Sequence, residues 1–251
     1  TKTLKAMAVK EGYANSGIAA FNYIIIKGGS PGGSSGGDRK KEVKDEVKEE
    51  VIEEIEEAEE VVPRTPTNPF NDISGYSWAE EAIISLAEQG IIKGVSSTNF
   101  APHTNIKRAD YIALMVRLFG MTADVQGNFS DVRPDKYYYQ EVGIARELGL
   151  IEGIGDQQFN PEASITRQDM FVIADRILRA LGFLDDEADV GILEQFSDYD
   201  QIAPYAKLPM ARLVANGYIL GDGRMLNPVN NTTRAETAVF IYRISKMLAK
   251  N

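Results

Sequence analysis

The chain has 251 residues, 43% of them hydrophobic, and 37 acidic side chains against 27 basic ones leave a net charge of −10. That composition allows a packed core but excludes duplex nucleic acid as a partner, because such binding rests on clustered Lys and Arg. No apolar run approaches the 18 residues of a membrane span, and the absence of cysteine fits a cytosolic protein or a secreted bacterial one held by its core.

Residues 1–28 read as a β-hairpin. Leu4 and Ala6 alternate with Thr3 and Lys5, Phe21 to Ile26 is mostly apolar, and Glu11 to Gly17 is rich in turn formers. A lone hairpin is marginal in water. The block is therefore expected to be the remnant of an upstream β-sandwich module, similar to the small immunoglobulin-like modules beside bacterial surface domains. Thr1 follows no basic-then-apolar leader, so a signal peptide is expected to be absent or removed, and the chain to be part of something larger. Residues 29–37 form a Gly/Ser linker. Residues 38–66 read as a charged amphipathic helix with a Pro-containing end. Asp38 to Glu60 holds 12 acidic and 5 basic residues, and Val43, Val47, Val51, Ile55, Ala58 and Val62 make one thin apolar stripe before Pro63 and Pro66. This segment is either a solvated, semi-rigid spacer or a helix that docks on the C-terminal domain or on a partner helix.

From Phe70 the sequence repeats three times, over 67–123, 124–189 and 190–251. The repeats open on Phe70-Asn71-Asp72, Phe129-Ser130-Asp131 and Phe196-Ser197-Asp198. Each then shows Gly-x-x-x-Gly (Gly90 to Gly94, Gly149 to Gly153, Gly217 to Gly221) and an apolar residue two before a proline (Phe100, Phe159, Leu226). Each closes on an arginine: Lys107-Arg108-Ala109-Asp110, Thr166-Arg167-Gln168-Asp169, Thr233-Arg234-Ala235-Glu236. Asp and Arg stand 36 residues apart every time, and the eight extra residues of the longer period fall near Asp185 to Glu194, a loop insertion. Each repeat reads as two helices joined by a loop. One such pair cannot bury its apolar face alone. Three are expected to pack around a shared centre, giving a mainly α domain with pseudo-threefold symmetry, and a monomer whose symmetry is internal.

The arginine motif has two layers. Thr166-x-x-Asp169 and Thr233-x-x-Glu236 read as capping boxes, which accounts for the threonine and the acid. It does not account for Arg108, Arg167 and Arg234, because a cation is disfavoured in a helix's first turn. Free N–H groups there attract anions, and guanidinium binds a planar carboxylate in bidentate fashion. The arginines therefore either meet an anionic ligand or pair with Asp72, Asp131 and Asp198. Trp78, Tyr137 and Tyr205, six or seven residues after those aspartates, suit stacking on sugar rings or simple helix packing. Gly94, Gly153 and Gly221 either admit a ligand to the backbone or serve a turn.

Catalytic signals are poor. His103 is the only histidine and sits in a loop, no phosphate loop follows a strand, and Asp198-Tyr199-Asp200 lacks the rest of a calcium loop. No catalytic residue, metal site or cofactor is expected.

Taken together, F-x-D, an aromatic, G-[IL]-I-x-G, F-x-P and T-R-A-E resemble S-layer homology domains, which come in threes. The resemblance covers about residues 70–250. It implies a pseudo-trimeric helical domain at a Gram-positive-type cell surface that binds secondary cell wall polysaccharide, with the motif arginines in grooves between repeats. It also implies a ligand bearing a pyruvate ketal on N-acetylmannosamine. The alternatives are a helical-repeat module that binds protein, and the anchor of an extracellular enzyme or scaffold whose main domains lie upstream. Lys107 in place of threonine adds a cation to the first repeat, and Leu226 replaces the aromatic in the third, so unequal grooves are expected.

Overall fold

The computed structural model describes the backbone of Lys2–Ala6 and Ala19–Tyr23 and, with side chains, residues 68–249. The two strands pair antiparallel, Leu4 opposite Phe21. The linker and charged helix expected over 29–66 lie outside the described residues, as does the rest of the expected β module.

Beyond residue 68 the fold is mainly α, as expected. Six α-helices follow in order: α1 (Ser77–Glu88), α2 (Arg108–Leu118), α3 (Tyr139–Glu147), α4 (Arg167–Ala180), α5 (Pro204–Ala215) and α6 (Arg234–Leu248). Their ends are set locally. Gly90, Gly149 and Gly217 take φ of 69°, 67° and 75° one residue past the C-caps of α1, α3 and α5. The next amide reaches back to Leu86, Ala145 and Leu213, which satisfies carbonyls that the helix leaves open. At the other end, Thr233 forms a full capping box with Glu236. Thr166 accepts from the Asp169 amide, and Lys107 provides no side-chain cap.

The helices do not pair within a repeat. Each first helix packs on the second helix of the preceding repeat: α3 on α2, α5 on α4, and α1 on α6, which closes a ring. The reason is visible at the centre, where the strand-like residues before the arginine motifs meet. The Ile106 amide donates to the Thr232 carbonyl at 3.0 Å, Ile165 to Ile106 at 3.2 Å, and Thr232 to Ile165 at 3.2 Å. Three backbone segments that no sheet could pair thus satisfy one another in a triangle, all fully buried. Below it the equivalent positions hold Tyr111, Met170 and Thr237. Three large side chains cannot share one axis, so large, medium and small interlock, with the Tyr111 hydroxyl donating to the Met170 carbonyl at 3.0 Å.

The insertion near Asp185 to Glu194, expected as a loop, contains a 3-10 segment, Val190–Gln195, that seats Leu193 in the core and packs on α5. Beside it Arg212 of α5 grips Asp175 of α4 through Nε and Nη2, both at 2.7 Å, and its Nη1 donates to the Asp186 carbonyl at 2.6 Å. The corresponding positions between α2 and α3 are the apolar Val116 and Ile144.

Candidate functional site

Each motif arginine leaves the start of a second helix and lies across the F-x-P loop of the next repeat. Arg108 Nε donates to the Phe159 carbonyl at 3.1 Å, Arg167 Nε to Leu226 at 2.9 Å and Arg234 Nε to Phe100 at 2.8 Å. The guanidinium carbons of Arg108 and Arg234 stand 4.8 and 4.6 Å from the Phe159 and Phe100 ring centres; where Leu226 removes that ring, Arg167 stands 5.4 Å from Phe171 instead.

The helix N-termini differ from expectation. Their first two amides are not free: Arg108 and Ala109 donate to Ala163 and Pro161, Arg167 and Gln168 to Asn230 and Pro228, Arg234 and Ala235 to Thr104 and Pro102. The inter-repeat joint consumes the donors that the sequence offers to an anion, which leaves the guanidinium as the cationic element. Burial lowers the pKa of all three arginines, and the nearest acids oppose it: Asp169 for Arg108, Glu236 for Arg167, Asp110 for Arg234. These acids are the third residues of the following second helix; the sequence reads Asp169 and Glu236 only as caps and gives Asp110 no role of its own. The register of the repeats puts one in each groove, a signal that the capping interpretation concealed.

Asp72, Asp131 and Asp198 form no ion pair with the arginines among the described residues. Each clamps a loop instead, accepting two consecutive amides: Phe100 and Ala101, Phe159 and Asn160, Leu226 and Asn227. The clamp holds Ala101, Asn160 and Asn227 at φ of 59°, 58° and 53°, and so aims the carbonyls that receive the arginines. Gly94, Gly153 and Gly221 sit under the same loops. A Cβ on Gly94 would come within 2.4 Å of the Ser96 carbonyl oxygen, and one on Gly153 equally close to that of Gln158. Lys107 extends to Glu162, Nζ to Oε2 2.6 Å, and Tyr138 donates to the other oxygen at 2.7 Å.

In every groove the aromatic comes from the repeat that supplies neither the arginine nor the loop: Tyr205 beside Arg108, Trp78 beside Arg167 and Tyr137 beside Arg234. Trp78, Tyr137 and Tyr205 are exposed by 57, 65 and 57%. Tyr205 donates to Asp169 at 2.7 Å beside Arg108, and burial with that bond raises its pKa to about 12. Tyr137 donates to Asp110 beside Arg234. Trp78 lines a cleft of about 310 Å³ with Arg167, Glu236, Gly221 and Asp222. Each groove is thus an arginine from one repeat, a loop and acid from the next, and an aromatic from the third.

The S-layer homology domain matches the chain over residues 69–112, 128–171 and 195–238. The chain belongs to the S-layer homology family. Its three repeats are 36% identical over 180 residues to the surface-layer 125 kDa protein of Lysinibacillus sphaericus, covering 70% of this chain and 14% of that protein. They are 34% identical over 175 residues to the amylopullulanase of Thermoanaerobacterium thermosulfurigenes, covering 69% and 9%. With the S-layer protein sap of Bacillus anthracis the figures are 26% over 179 residues, 70% and 21%. The chain therefore spans under a quarter of these relatives' lengths. Membership of the S-layer homology family assigns the chain to the bacterial cell surface. No helix among the described residues is long and apolar enough to cross a membrane.

Proposed function

We propose that this S-layer homology domain is a non-catalytic anchor that binds an anionic secondary cell wall polysaccharide, pyruvylated on a terminal sugar, in its inter-repeat grooves. The observation that carries the reading is the arginine–aromatic pairing. A partly buried guanidinium held through Nε to a carbonyl keeps terminal N–H groups for a carboxylate, although Arg234 also spends Nη2 on the Lys93 carbonyl at 2.7 Å and Arg167 Nη1 stands 3.6 Å from Glu236. Among the described residues, neither terminal nitrogen of Arg108 makes a hydrogen bond. An exposed aromatic beside it suits the apolar face of a sugar. Loop and cap contacts explain the aspartates, glycines and threonines, but they do not explain exposed aromatics repeated at one place. Asp72, Asp131, Asp198, Gly94, Gly153 and Gly221 then shape the groove and Lys107 braces its rim. Arg108, Arg167, Arg234, Trp78, Tyr137 and Tyr205 touch the glycan. The surface protein, enzyme or scaffold so tethered is supplied by sequence outside the three repeats.

Sedimentation with purified cell walls tests this. A charge-assisted contact is worth about 1.5–3 kcal/mol, so replacing one arginine by alanine weakens its groove by roughly ten- to a hundredfold. The triple variant Arg108→Ala, Arg167→Ala, Arg234→Ala is expected to stay in the supernatant, as is the wild-type domain with walls treated in mild acid to remove the ketal. Undiminished binding of the triple variant refutes the groove mechanism. Undiminished binding to treated walls refutes the pyruvate.

A further inference from the structure

The repeats contain a second arginine in register, Arg117, Arg176 and Arg243, each nine residues after the motif arginine on the same second helix. Two of the three are neutralised. Arg117 pairs with Glu141 of α3 at 2.6 Å, and Arg176 with Glu152 at 3.3 Å. Glu152 is the residue before the second glycine of its loop, and the third repeat has Leu220 there. Arg243 consequently pairs with no acid among the described residues; its Nη1 donates to the Tyr218 carbonyl at 3.0 Å. It lines the same cleft as Arg167 and Trp78.

Two guanidinium groups facing one cleft repel each other. Burial lowers the pKa of Arg243 and the Arg167 charge lowers it further. The acids that line the cleft are committed elsewhere. Glu236 Oε2 takes the Thr233 amide and hydroxyl, and its Oε1 stands 3.6 Å from Arg167. Asp222 takes the Met225 amide and the Asn227 side chain. Arg167 thus has Glu236 beside it, whereas Arg243 has no acid partner among the described residues; a partly buried guanidinium left unpaired in a cleft is what a second anion would meet.

We propose that Arg243 is a second anion subsite, so that the Arg167 groove takes a glycan segment carrying two acidic groups, one met by Arg167 and one, a carboxylate or phosphate on the neighbouring sugar, met by Arg243. This rests on the carbohydrate reading of the groove and assigns its ligand class. The other two grooves, with their second arginines paired, take one acidic group each.

Trp78 is the only tryptophan, so its fluorescence reports this groove alone. The probes are three disaccharides that share a terminal pyruvylated N-acetylmannosamine and differ in the next sugar: neutral, uronic acid, or phosphorylated. Wild-type protein is expected to bind one or both acidic probes about tenfold more tightly than the neutral one, about 1.4 kcal/mol. The stronger of the two names the group. Arg243→Gln removes that preference and leaves the neutral probe unchanged, while Arg243→Lys keeps part of it. Equal wild-type affinity for all three probes overturns the subsite, whether or not the variant folds. So does an Arg243→Gln variant that binds every probe more weakly by the same factor, which marks the residue as a wall of the cleft. Arg167→Gln, with an unchanged thermal melt, separates the two levels of the claim. Loss of all three probes leaves the carbohydrate reading standing, and unchanged binding removes that reading as well.

Discussion

Thr232 occupies the place on the central axis that isoleucine holds in the other two repeats, and its hydroxyl is buried without a partner among the described residues. An unsatisfied buried hydroxyl costs about 1–3 kcal/mol. Thr232→Val keeps the shape and removes the cost, so urea unfolding should show a gain of about 1 kcal/mol, with wall binding unchanged. The clamping aspartates behave in the opposite sense. Burial raises the carboxyl pKa of Asp72, but the amides of Phe100 and Ala101 outweigh it and the net shift is downward. A depressed folded pKa gives stability that is present above the unfolded value, about 3.9, and that is lost as pH falls through the folded one. Asp72→Asn should therefore be less stable than wild type at neutral pH, and the gap should close below about pH 4. A gap that persists in acid would mean that the clamp's charge contributes nothing.

At the scale of helices, the clearest departure from symmetry is the ion pair between α4 and α5. Arg212 and Asp175 are 5 and 3% exposed, and their pairing is bidentate. Removing one partner leaves a buried charge. Asp175→Ala is expected to cost about 3–5 kcal/mol, whereas replacing both residues by apolar ones, as in the Val116 and Ile144 positions, should cost little or stabilise. Equal losses for the single and double changes would contradict this account. Nothing in the sequence announces the pair, because Arg212 and Asp175 are 37 residues apart and each reads as an ordinary surface charge on an amphipathic helix. Much else was legible. The two helices of each repeat followed from the 3.6-residue period, and the arginines stood out because a cation is unwelcome where they are. What could not be read was which helix meets which. Repeats announce that units pack together, but the exchange of partners depends on the Ile106, Ile165 and Thr232 triangle, whose backbone bonds carry no side-chain signature. The spent amides at the helix starts were hidden for the same reason.

For the domain as a whole, the ring of helices makes function cooperative. No groove lies within a repeat or even between two: Arg167, Glu236 and Trp78 come from the second, third and first repeats. Deleting α6 should therefore abolish binding in all three grooves. It takes away Arg234, Glu236 and the packing surface of α1, and a wall-binding assay of a chain ending at Asn231 checks it; partial binding would show that a groove can form from two repeats. Electrostatic binding should also weaken as salt rises from 0.05 to about 0.5 M, less steeply than for exposed charges because the arginines are half-buried. The contact of α1 with α6 has a further consequence in time. A chain exported amino end first presents Trp78 early, but its groove stays unfinished until the final helix arrives to receive it. Trp78 therefore has no partners for a ligand until the third repeat has folded against the first, and the proposed grip on the wall would be gained in a single step, when the ring closes, rather than repeat by repeat.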